Sequence, residues 1–150
     1  MSNQVVALND ALYAQLQDET FVLLHTIDAE TGCPTTSAVS WVAAKDHHTI
    51  RFALDMRSRL VSNLKAESKT SVTVFGLNTV TAVYGRCELV AEPLEGVPMK
   101  LACFDLHIES VRDAMFYGAR LTAHPEYEKT YDKRAADKLD GQVFDAMREA

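Results

Sequence analysis

The segment that most constrains the fold is residues 49–75, TIRFALDMRSRLVSNLKAESKTSVTVF. Its first part, Thr49–Leu54, is rich in β-branched and bulky residues, which favours a β-strand. Apolar residues then recur at helical spacing, and this predicts a short helix over residues 57–66. Alternating apolar residues in Thr70–Phe75 predict a second strand. The segment therefore predicts a strand, a tight turn, a short helix and a strand in close succession.

The turn into this helix carries the tripeptide Arg57-Ser58-Arg59. A helix start offers unpaired backbone N–H groups and the positive end of the helix dipole, so two guanidinium groups and a hydroxyl there suit a phosphate. Basic residues at a helix start oppose the dipole, and a bound anion would remove that conflict. The alternative is an ordinary solvated helix start, with Asp55 as the N-cap. The sequence leaves both interpretations open.

The overall composition is that of a folded chain with one domain. The chain has 150 residues, 47% of them hydrophobic, which is enough for a substantial core. Its formal net charge is −6, which argues against general nucleic-acid binding. The sequence starts without a basic region followed by an apolar run, and no apolar stretch approaches membrane-spanning length. We therefore expect a cytoplasmic protein that binds neither nucleic acid nor membranes.

The cysteines and histidines do not have the spacing of a metal site. The three cysteines, Cys33, Cys87 and Cys103, are odd in number and widely separated, which predicts reduced thiols. The histidines, which also lack zinc-site spacing, are His25, His47, His48, His107 and His124. The sequence has no GxSxG nucleophile elbow, Rossmann glycine motif or P-loop. Hydrolase and dinucleotide-binding chemistry of those kinds is therefore not indicated.

Most of the remaining chain alternates between predicted strands and turns. Asn9 or Asp10 is a suitable N-cap for a first helix that continues to about Gln17. The further predicted strands are Phe21–Ile27, which we expect to be buried on both faces, Thr35–Ala44, Thr79–Val90 and Lys100–Val111. Gly85 falls within a strand, where it indicates a bulge or a close backbone approach. Six strands with one inserted helix predict a small closed barrel over about residues 19–112.

The last part of the chain has a different composition. Residues 125–150 contain few β-branched residues and many of Ala, Lys, Glu and Asp, and apolar residues recur there every four positions. That spacing predicts an amphipathic helical tail, either as one helix or as two helices separated near Gly141.

A strand with small side chains lies beside the only tryptophan, Trp41. The run Thr35–Ser40 would let a planar ligand lie close to the backbone, whose N–H and C=O groups can bond the edge of a ring. The alternative for Trp41 is packing in the core or at an interface. A second apolar cluster, Met115–Tyr117, is expected in the core, with a subunit contact as the second interpretation.

Three ordered segments resemble a known family. They are Gly32-Cys33-Pro34 followed by TTSAVSWV, then IRFALDMRSRLVSNLKAES, then Val83-Tyr84-Gly85-Arg86-Cys87-Glu88. In that order and spacing they resemble a Gly-x-Pro hairpin, a strand with a Ser-Arg phosphate turn, and a V-x-G-x-A-E strand. These features are typical of the pyridoxamine 5′-phosphate oxidase-like proteins, the FMN-binding split β-barrels.

The resemblance implies a fold, a cofactor and a set of binding residues. The implied fold is mainly β with helical additions: a six-stranded antiparallel split β-barrel with a short inserted helix and a helical C-terminal tail. The implied cofactor is FMN, bound at the subunit interface of a homodimer. The binding residues carried over are Ser58 and Arg59 for the phosphate, Ser37, Ala38 and Val39 along the isoalloxazine, and Phe52, Ala53 and Leu54 beneath the ribityl chain.

The chain departs from the oxidase itself at several of these positions. The oxidase has Arg, Thr and Lys where this chain has Ser37, Leu54 and Leu60, and its C-terminal substrate-binding motif is not evident. Arg57 is a candidate to replace the missing charge at the phosphate. The resemblance implies an FMN-dependent oxidoreductase with an unidentified small substrate, and the sequence indicates no catalytic acid or base.

Two other functions are compatible with the same barrel. One is a non-catalytic carrier of flavin or haem, for which His25, His107 or His124 would be candidate iron ligands. The other is a scaffold that has lost its cofactor and acts through protein contacts. The absorbance spectrum of the purified protein would separate these alternatives.

Overall fold

The computed structural model describes residues 5–150. Its helices are Asp10–Gln15 (α1), Arg59–Ala66 (α2) and Lys133–Glu149 (α3). Its strands are Val22–Ile27 (β1), Pro34–Val39 (β2), Val42–Asp46 (β3), Thr49–Asp55 (β4), Lys69–Gly76 (β5), Thr79–Ala91 (β6) and Leu101–Asp113 (β7). These strands pair antiparallel in one sheet of order β2-β1-β5-β6-β7-β4-β3. The mainly β architecture with an inserted short helix and a helical tail is therefore confirmed.

The prediction of six strands closed into a barrel is wrong. The predicted strand Thr35–Ala44 is two strands, because β2 pairs with β1 whereas β3 pairs with β4, at the opposite end of the strand order. The chain changes partner at Ser40 and Trp41, between the two strands. An uninterrupted run of strand-forming residues gives no sign of a change in pairing partner. Since β2 and β3 are the two ends of the order, the hydrogen-bonded sheet is not closed.

Two apolar clusters cover opposite faces of β4. The main core joins α1 and α2 to the sheet and includes Leu12, Phe52 and Phe104. The second cluster lies under α3 and includes Ala53 and Met147. The first six residues of β4 are accordingly buried without alternation. The expectation that Phe21–Ile27 is buried on both faces is wrong, because β1 alternates between buried and half-buried residues.

The helix boundaries follow from their capping residues. The side chain of Asn9 accepts a hydrogen bond from Leu12 N at 2.8 Å, as expected, although α1 ends at Gln15 rather than Gln17. Asp132 caps α3 by accepting from Arg134 N at 2.9 Å. The tail is thus one continuous helix through Gly141, and residues 125–132 before it are not helical.

A buried arginine fixes the end of α3 to the sheet. Arg51 on β4 donates from Nε and Nη2 to the two carboxylate oxygens of Asp105 on β7, at 2.7 and 2.9 Å. Its Nη1 donates to the main-chain oxygens of Met147 and Ala150, at 2.8 and 2.7 Å. These oxygens lie at the C-terminal end of α3, where a cation also complements the helix dipole. Arg51 therefore joins β4, β7 and α3.

The expected close approach at Gly85 is confirmed. The β6–β7 register shifts between Tyr84 and Gly85. A Cβ built on Gly85 would lie only 2.1 Å from the main-chain oxygen of His107. Only glycine fits this bulge, because any side chain would collide with the neighbouring backbone.

The three cysteines are free thiols, as predicted, with Cys33 exposed and Cys103 buried. Burial raises the pKa of the Cys103 thiol to about 11. In residues 5–150, no helix has the length and apolar character needed to cross a bilayer.

Candidate functional site

A groove of about 300 Å³ lies where β4 ends and α2 begins. Three parts of the chain meet there: the end of β2, the end of β4 and the first residues of α2. The lining residues are Val39, Ser40, Trp41, Ala53, Leu54, Asp55, Ser58 and Leu60. Four of these, Val39, Ala53, Leu54 and Ser58, were predicted from the sequence to contact a cofactor. The fold thus brings residues from three separate segments to one surface.

Ser58 is the N-cap of α2. Its Oγ accepts a hydrogen bond from Leu60 N at 3.1 Å, and its main-chain oxygen accepts from Val61 N at 3.1 Å. The alternative in which Asp55 caps this helix is wrong. Asp55 instead accepts from Arg57 N at 2.8 Å, within the turn that precedes the cap. The hydroxyl of Ser58 therefore lies both at the helix start and in the wall of the groove.

Arg57 forms an ion pair with Asp55 across this turn. Its Nε and Nη2 donate to the two carboxylate oxygens, at 3.2 and 3.0 Å. These side-chain bonds, together with the Arg57 N–H, hold the pKa of Asp55 below its usual value, and they raise the pKa of Arg57. The Arg57 side chain is 89% exposed. Because this ion pair is near the surface, it contributes little to stability. Either side chain can therefore leave the pair and bind another charged group.

Arg59 forms an ion pair with Asp28, in the turn between β1 and β2. The Asp28 carboxylate also accepts from Glu30 N and Thr31 N, at 2.9 and 3.0 Å. These two backbone donors are the main reason why the pKa of Asp28 is lowered, and Arg59 lowers it further, whereas burial opposes the shift. The Arg59 guanidinium therefore ties the start of α2 to the β1–β2 turn.

Asn63 holds α2 against the same hairpin. Its side chain is buried, donates to Thr26 Oγ1 at 3.0 Å and accepts from Ala29 N at 2.9 Å. Both ends of the amide are thus satisfied inside the protein. A polar residue on the inner face of a helix breaks the apolar pattern, and this was the sequence signal that would have identified the contact.

The groove lining does not include three other residues that were predicted to contact the cofactor, Ser37, Ala38 and Phe52. Ser37 and Ala38 lie on β2, opposite Leu24 and Leu23 of β1, and Ala38 is exposed. Phe52 is buried in the main core, where its ring stacks on Phe104 with centroids 5.7 Å apart. Its side chain is therefore not part of the groove surface.

A second cavity of about 300 Å³ adjoins the groove. It is lined by Phe21, Ala38, Val39, Ser40, Glu126 and Tyr127. Val39 and Ser40 belong to the walls of both cavities. No sequence pattern indicated that Phe21 or Tyr127 lies near Ala38, because these residues are distant in sequence and no motif joins them.

A larger cavity, of about 500 Å³, lies between α3 and β3. Its lining includes Lys45, Arg51, Asp140 and Phe144. Three of its charged side chains already have partners: Arg51 with Asp105, Asp140 with Lys129, and Lys45 with Asp105 at 3.8 Å. The cavity contains none of the residues predicted from the sequence to bind a cofactor. We therefore place the candidate site at the start of α2 and not in this larger cavity.

The histidines do not converge with other metal ligands. In residues 5–150, no group of three His, Cys, Asp or Glu side chains is arranged to hold a metal ion. His25 lies between Thr36 and Thr73, with its ring nitrogens 3.2 and 2.8 Å from their hydroxyl oxygens, and burial lowers its pKa. His107 Nε2 lies 2.7 Å from a carboxylate oxygen of Glu88.

A comparison against protein families identifies the family of the chain. The family described as pyridoxamine 5′-phosphate oxidase matches residues 8–112. Because this match covers more than half of the sequence, the chain belongs to the pyridoxamine 5′-phosphate oxidase-like family. The resemblance inferred from the sequence is thereby confirmed. No curated protein matches the chain.

Solved structures share the fold at low sequence identity. A provisionally assigned pyridoxamine 5′-phosphate oxidase from Lactobacillus delbrueckii is 18% identical, with a TM-score of 0.62 over 72% of this chain and 95% of that chain. An F420 reductase is 17% identical, with a TM-score of 0.55 over 66% and 94%. An FMN-binding protein from Syntrophomonas wolfei is 19% identical, with a TM-score of 0.53 over 71% and 83%. At these identities the similarity establishes the fold alone.

Proposed function

We propose that this chain binds FMN in the groove at the start of α2 and acts as an oxidoreductase on a small substrate. The observation that carries the proposal is the groove itself. It brings Val39, Ala53, Leu54 and Ser58 together, and the family resemblance assigns cofactor contacts to these four residues. The family match supports the choice of a flavin, as does the similarity to an FMN-binding protein and to an F420 reductase.

The phosphate end of the proposed site is the start of α2. Ser58 offers its hydroxyl there, next to the positive end of the helix dipole. The exposed guanidinium groups of Arg57 and Arg59 are within the same turn, and each is paired with a carboxylate. Those carboxylates balance the arginine charges when no anion is bound. A phosphate would draw the guanidinium groups away from them, at small cost for the exposed Arg57–Asp55 pair.

The ring end of the proposed site is formed by β2 and the apolar residues beside it. The strand β2 is at one end of the strand order, so its outer backbone edge is not paired within the described sheet. Those N–H and C=O groups can bond the polar edge of a flavin ring, and Val39 offers apolar surface to its face.

When bound, FMN would supply the electron-transfer chemistry. The residues of the chain would bind and orient the cofactor. Asp55 is the titratable side chain in the groove lining, and its pKa is lowered by Arg57. It therefore stays ionised at neutral pH and is unsuited to donate a proton. We propose that protons exchange directly with solvent, because the groove is open.

The homodimer, the cytoplasmic location and the single-domain organisation stay predictions. The expectation that Met115–Tyr117 is a core cluster is wrong, because Phe116 and Tyr117 are 72% and 102% exposed. Two adjacent exposed aromatic rings favour the second interpretation, a subunit contact.

The test of the proposed function is a titration of the purified protein with FMN, followed by absorbance and flavin fluorescence. We expect saturable binding that is weakened by Arg57→Ala and by Arg59→Ala, each by about tenfold, since a charge-assisted phosphate contact contributes about 1.5 kcal/mol or more. The matched control is Arg134→Ala, an exposed arginine in the first turn of α3, which should bind FMN like the wild type.

Other outcomes of the same titration would contradict the proposal. A Soret band in place of flavin bands would indicate haem binding, and a colourless protein that ignores added FMN would indicate a scaffold without cofactor. Unchanged affinity in both arginine variants would remove the proposed phosphate site.

A separate activity assay distinguishes an enzyme from a carrier. Steady consumption of reduced nicotinamide cofactor with an added acceptor would favour the enzyme.

A further inference from the structure

The candidate groove and the adjoining cavity lie next to each other at the end of β2, because Val39 and Ser40 line both of them. Ser58 lines only the groove, whereas Phe21 and Tyr127 line only the adjoining cavity. An elongated ligand with an anionic end and a planar end matches this arrangement, with its phosphate at Ser58 and its ring toward the two aromatic side chains.

Tyr127 is held in place by contacts on its ring and on its hydroxyl. Its ring meets Phe21 edge to face, with centroids 5.5 Å apart and planes at 88°. Its hydroxyl donates to Glu19 Oε1 at 2.9 Å. Tyr127 is still 45% exposed, so one part of it is available to a ligand. An ordered, partly exposed aromatic ring is a suitable surface for another flat ring.

A network of charged residues fixes the chain around Tyr127. Lys129 Nζ donates to Glu19, which also binds Tyr127, and to Asp140 on α3. The other carboxylate oxygen of Asp140 accepts from Trp41 Nε1 at 2.8 Å. Trp41 lines the groove and Tyr127 lines the adjoining cavity. One network thus connects the walls of both cavities, and Lys129, with its side chain only 19% exposed, is its centre.

We propose that Tyr127 forms the wall of the cofactor site at the ring end, and that Lys129 positions it through Glu19 and Asp140. This role rests on the proposed function, because the ring in question is the isoalloxazine of FMN. It also explains what the chain before α3 contributes, since residues 126–129 would cover the end of β2 and supply an aromatic contact from the C-terminal part of the chain. The contact concerns the ring and not the phosphate.

The experiment compares two ligands, FMN and riboflavin, which share the ring and differ in the phosphate. Dissociation constants are measured by fluorescence titration for the wild type, Tyr127→Ala, Tyr127→Phe, Lys129→Met and Arg59→Ala. We expect Tyr127→Ala to weaken both ligands by the same factor of about ten, because it removes an aromatic contact to the shared ring. Arg59→Ala should weaken FMN and leave riboflavin unchanged.

Two further variants test the ring of Tyr127 and its positioning by Lys129 separately. Tyr127→Phe keeps the ring and should stay within about twofold of the wild type for both ligands. Lys129→Met should weaken both ligands equally and alter the visible circular dichroism of bound flavin, because the ring wall is no longer fixed. Tyr131→Ala is the matched control, since Tyr131 is an exposed aromatic residue of the same segment and should have no effect.

The outcomes separate this role from the proposed function. A wild type that binds neither flavin would overturn both. If Tyr127→Ala binds both flavins as tightly as the wild type does, the role of Tyr127 alone is overturned. An effect of Tyr127→Ala on FMN but not on riboflavin would also overturn it. If Tyr127→Ala does not fold, Tyr127→Leu decides, because leucine keeps the apolar contact with Phe21 and lacks the aromatic ring.

Discussion

At the scale of single residues, carboxylates organise the start of α2. Asp55 and Asp28 each accept backbone N–H groups in a turn, and each pairs with an arginine of the Arg-Ser-Arg tripeptide. The pKa of Asp28 is lowered mainly by its backbone donors, and the pKa of Asp55 is lowered mainly by the side chain of Arg57, with the Arg57 N–H second. The turn into α2 and the β1–β2 turn are therefore stabilised by charge, and this makes them sensitive to acid.

The pH dependence of stability follows from the lowered pKa of Asp28. A carboxyl whose pKa is lower in the folded state stabilises the protein above its unfolded pKa, and this contribution is lost as the pH falls through the folded value. We expect Asp28→Asn to lower the free energy of unfolding at pH 7, and the difference from the wild type to shrink below about pH 4. Urea unfolding at a series of pH values measures this.

The control for this prediction is Asp145→Asn. Asp145 is an exposed residue of α3 that pairs with Arg148, so its replacement should change neither the stability nor its dependence on pH. A destabilisation by Asp28→Asn that is the same at pH 3 as at pH 7 would contradict the role of the charge.

At the scale of elements, the pairing of strands and the packing of α3 on the sheet each depend on a few residues. The β6–β7 bulge needs Gly85, and the docking of α3 needs the buried pair of Arg51 and Asp105. Both contacts join elements that are paired or packed only in the folded protein. Asp105 and Arg51 are each nearly inaccessible, so the loss of Asp105 would leave the buried charge of Arg51 without a carboxylate partner.

A pair of glycine substitutions tests the bulge. We expect Gly85→Ala to destabilise the protein by roughly 1–3 kcal/mol, because its Cβ would meet the His107 carbonyl oxygen. The same change at Gly141 should stabilise it by roughly 0.5–1 kcal/mol, since Gly141 is inside α3 and a Cβ there meets nothing within 4 Å. Urea unfolding of both variants measures the difference, and effects of the same sign would contradict the argument.

At the scale of the whole molecule, two exposed aromatic side chains lead us to expect a homodimer. The exposed pair Phe116 and Tyr117 follows the end of β7. We expect the protein to sediment at twice the mass of the chain, and Phe116→Asp to shift it toward the monomer, because a charge is costly in an apolar contact. Tyr131→Asp, at another exposed aromatic residue, is the matched control. A wild type that is monomeric at micromolar concentration would contradict the dimer.

Much of the fold was evident in local patterns. The strand–turn–helix–strand unit around residues 57–59 was predicted because residue periodicity and the tripeptide are properties of adjacent residues. The same holds for the close approach at Gly85 and for the helical tail, whose start was nevertheless placed too early. The strand count was wrong because the break at Ser40 and Trp41 depends on the partners of β2 and β3, which are remote in sequence.

The candidate site was predicted only where its residues belong to local motifs. Val39, Ala53, Leu54 and Ser58 were identified from local motifs and do meet in the groove. The contacts of Arg57 with Asp55 lie within three residues, and the sequence had already raised Asp55 as a competitor for the helix start. The pairing of Arg59 with Asp28 and the approach of Tyr127 to Phe21 could not be predicted, because each joins elements that share no local pattern.

By itself, the sequence determined the local structures and the chemistry of the turn into α2, since these depend on propensity, periodicity and capping among neighbouring residues. Only the tertiary structure decided which strands pair, that the sheet stays open between β2 and β3, and that Trp41 and Tyr127 belong to one network. The physical reason is that burial and long-range pairing depend on the positions of all elements at once, whereas a motif reports only on its own segment.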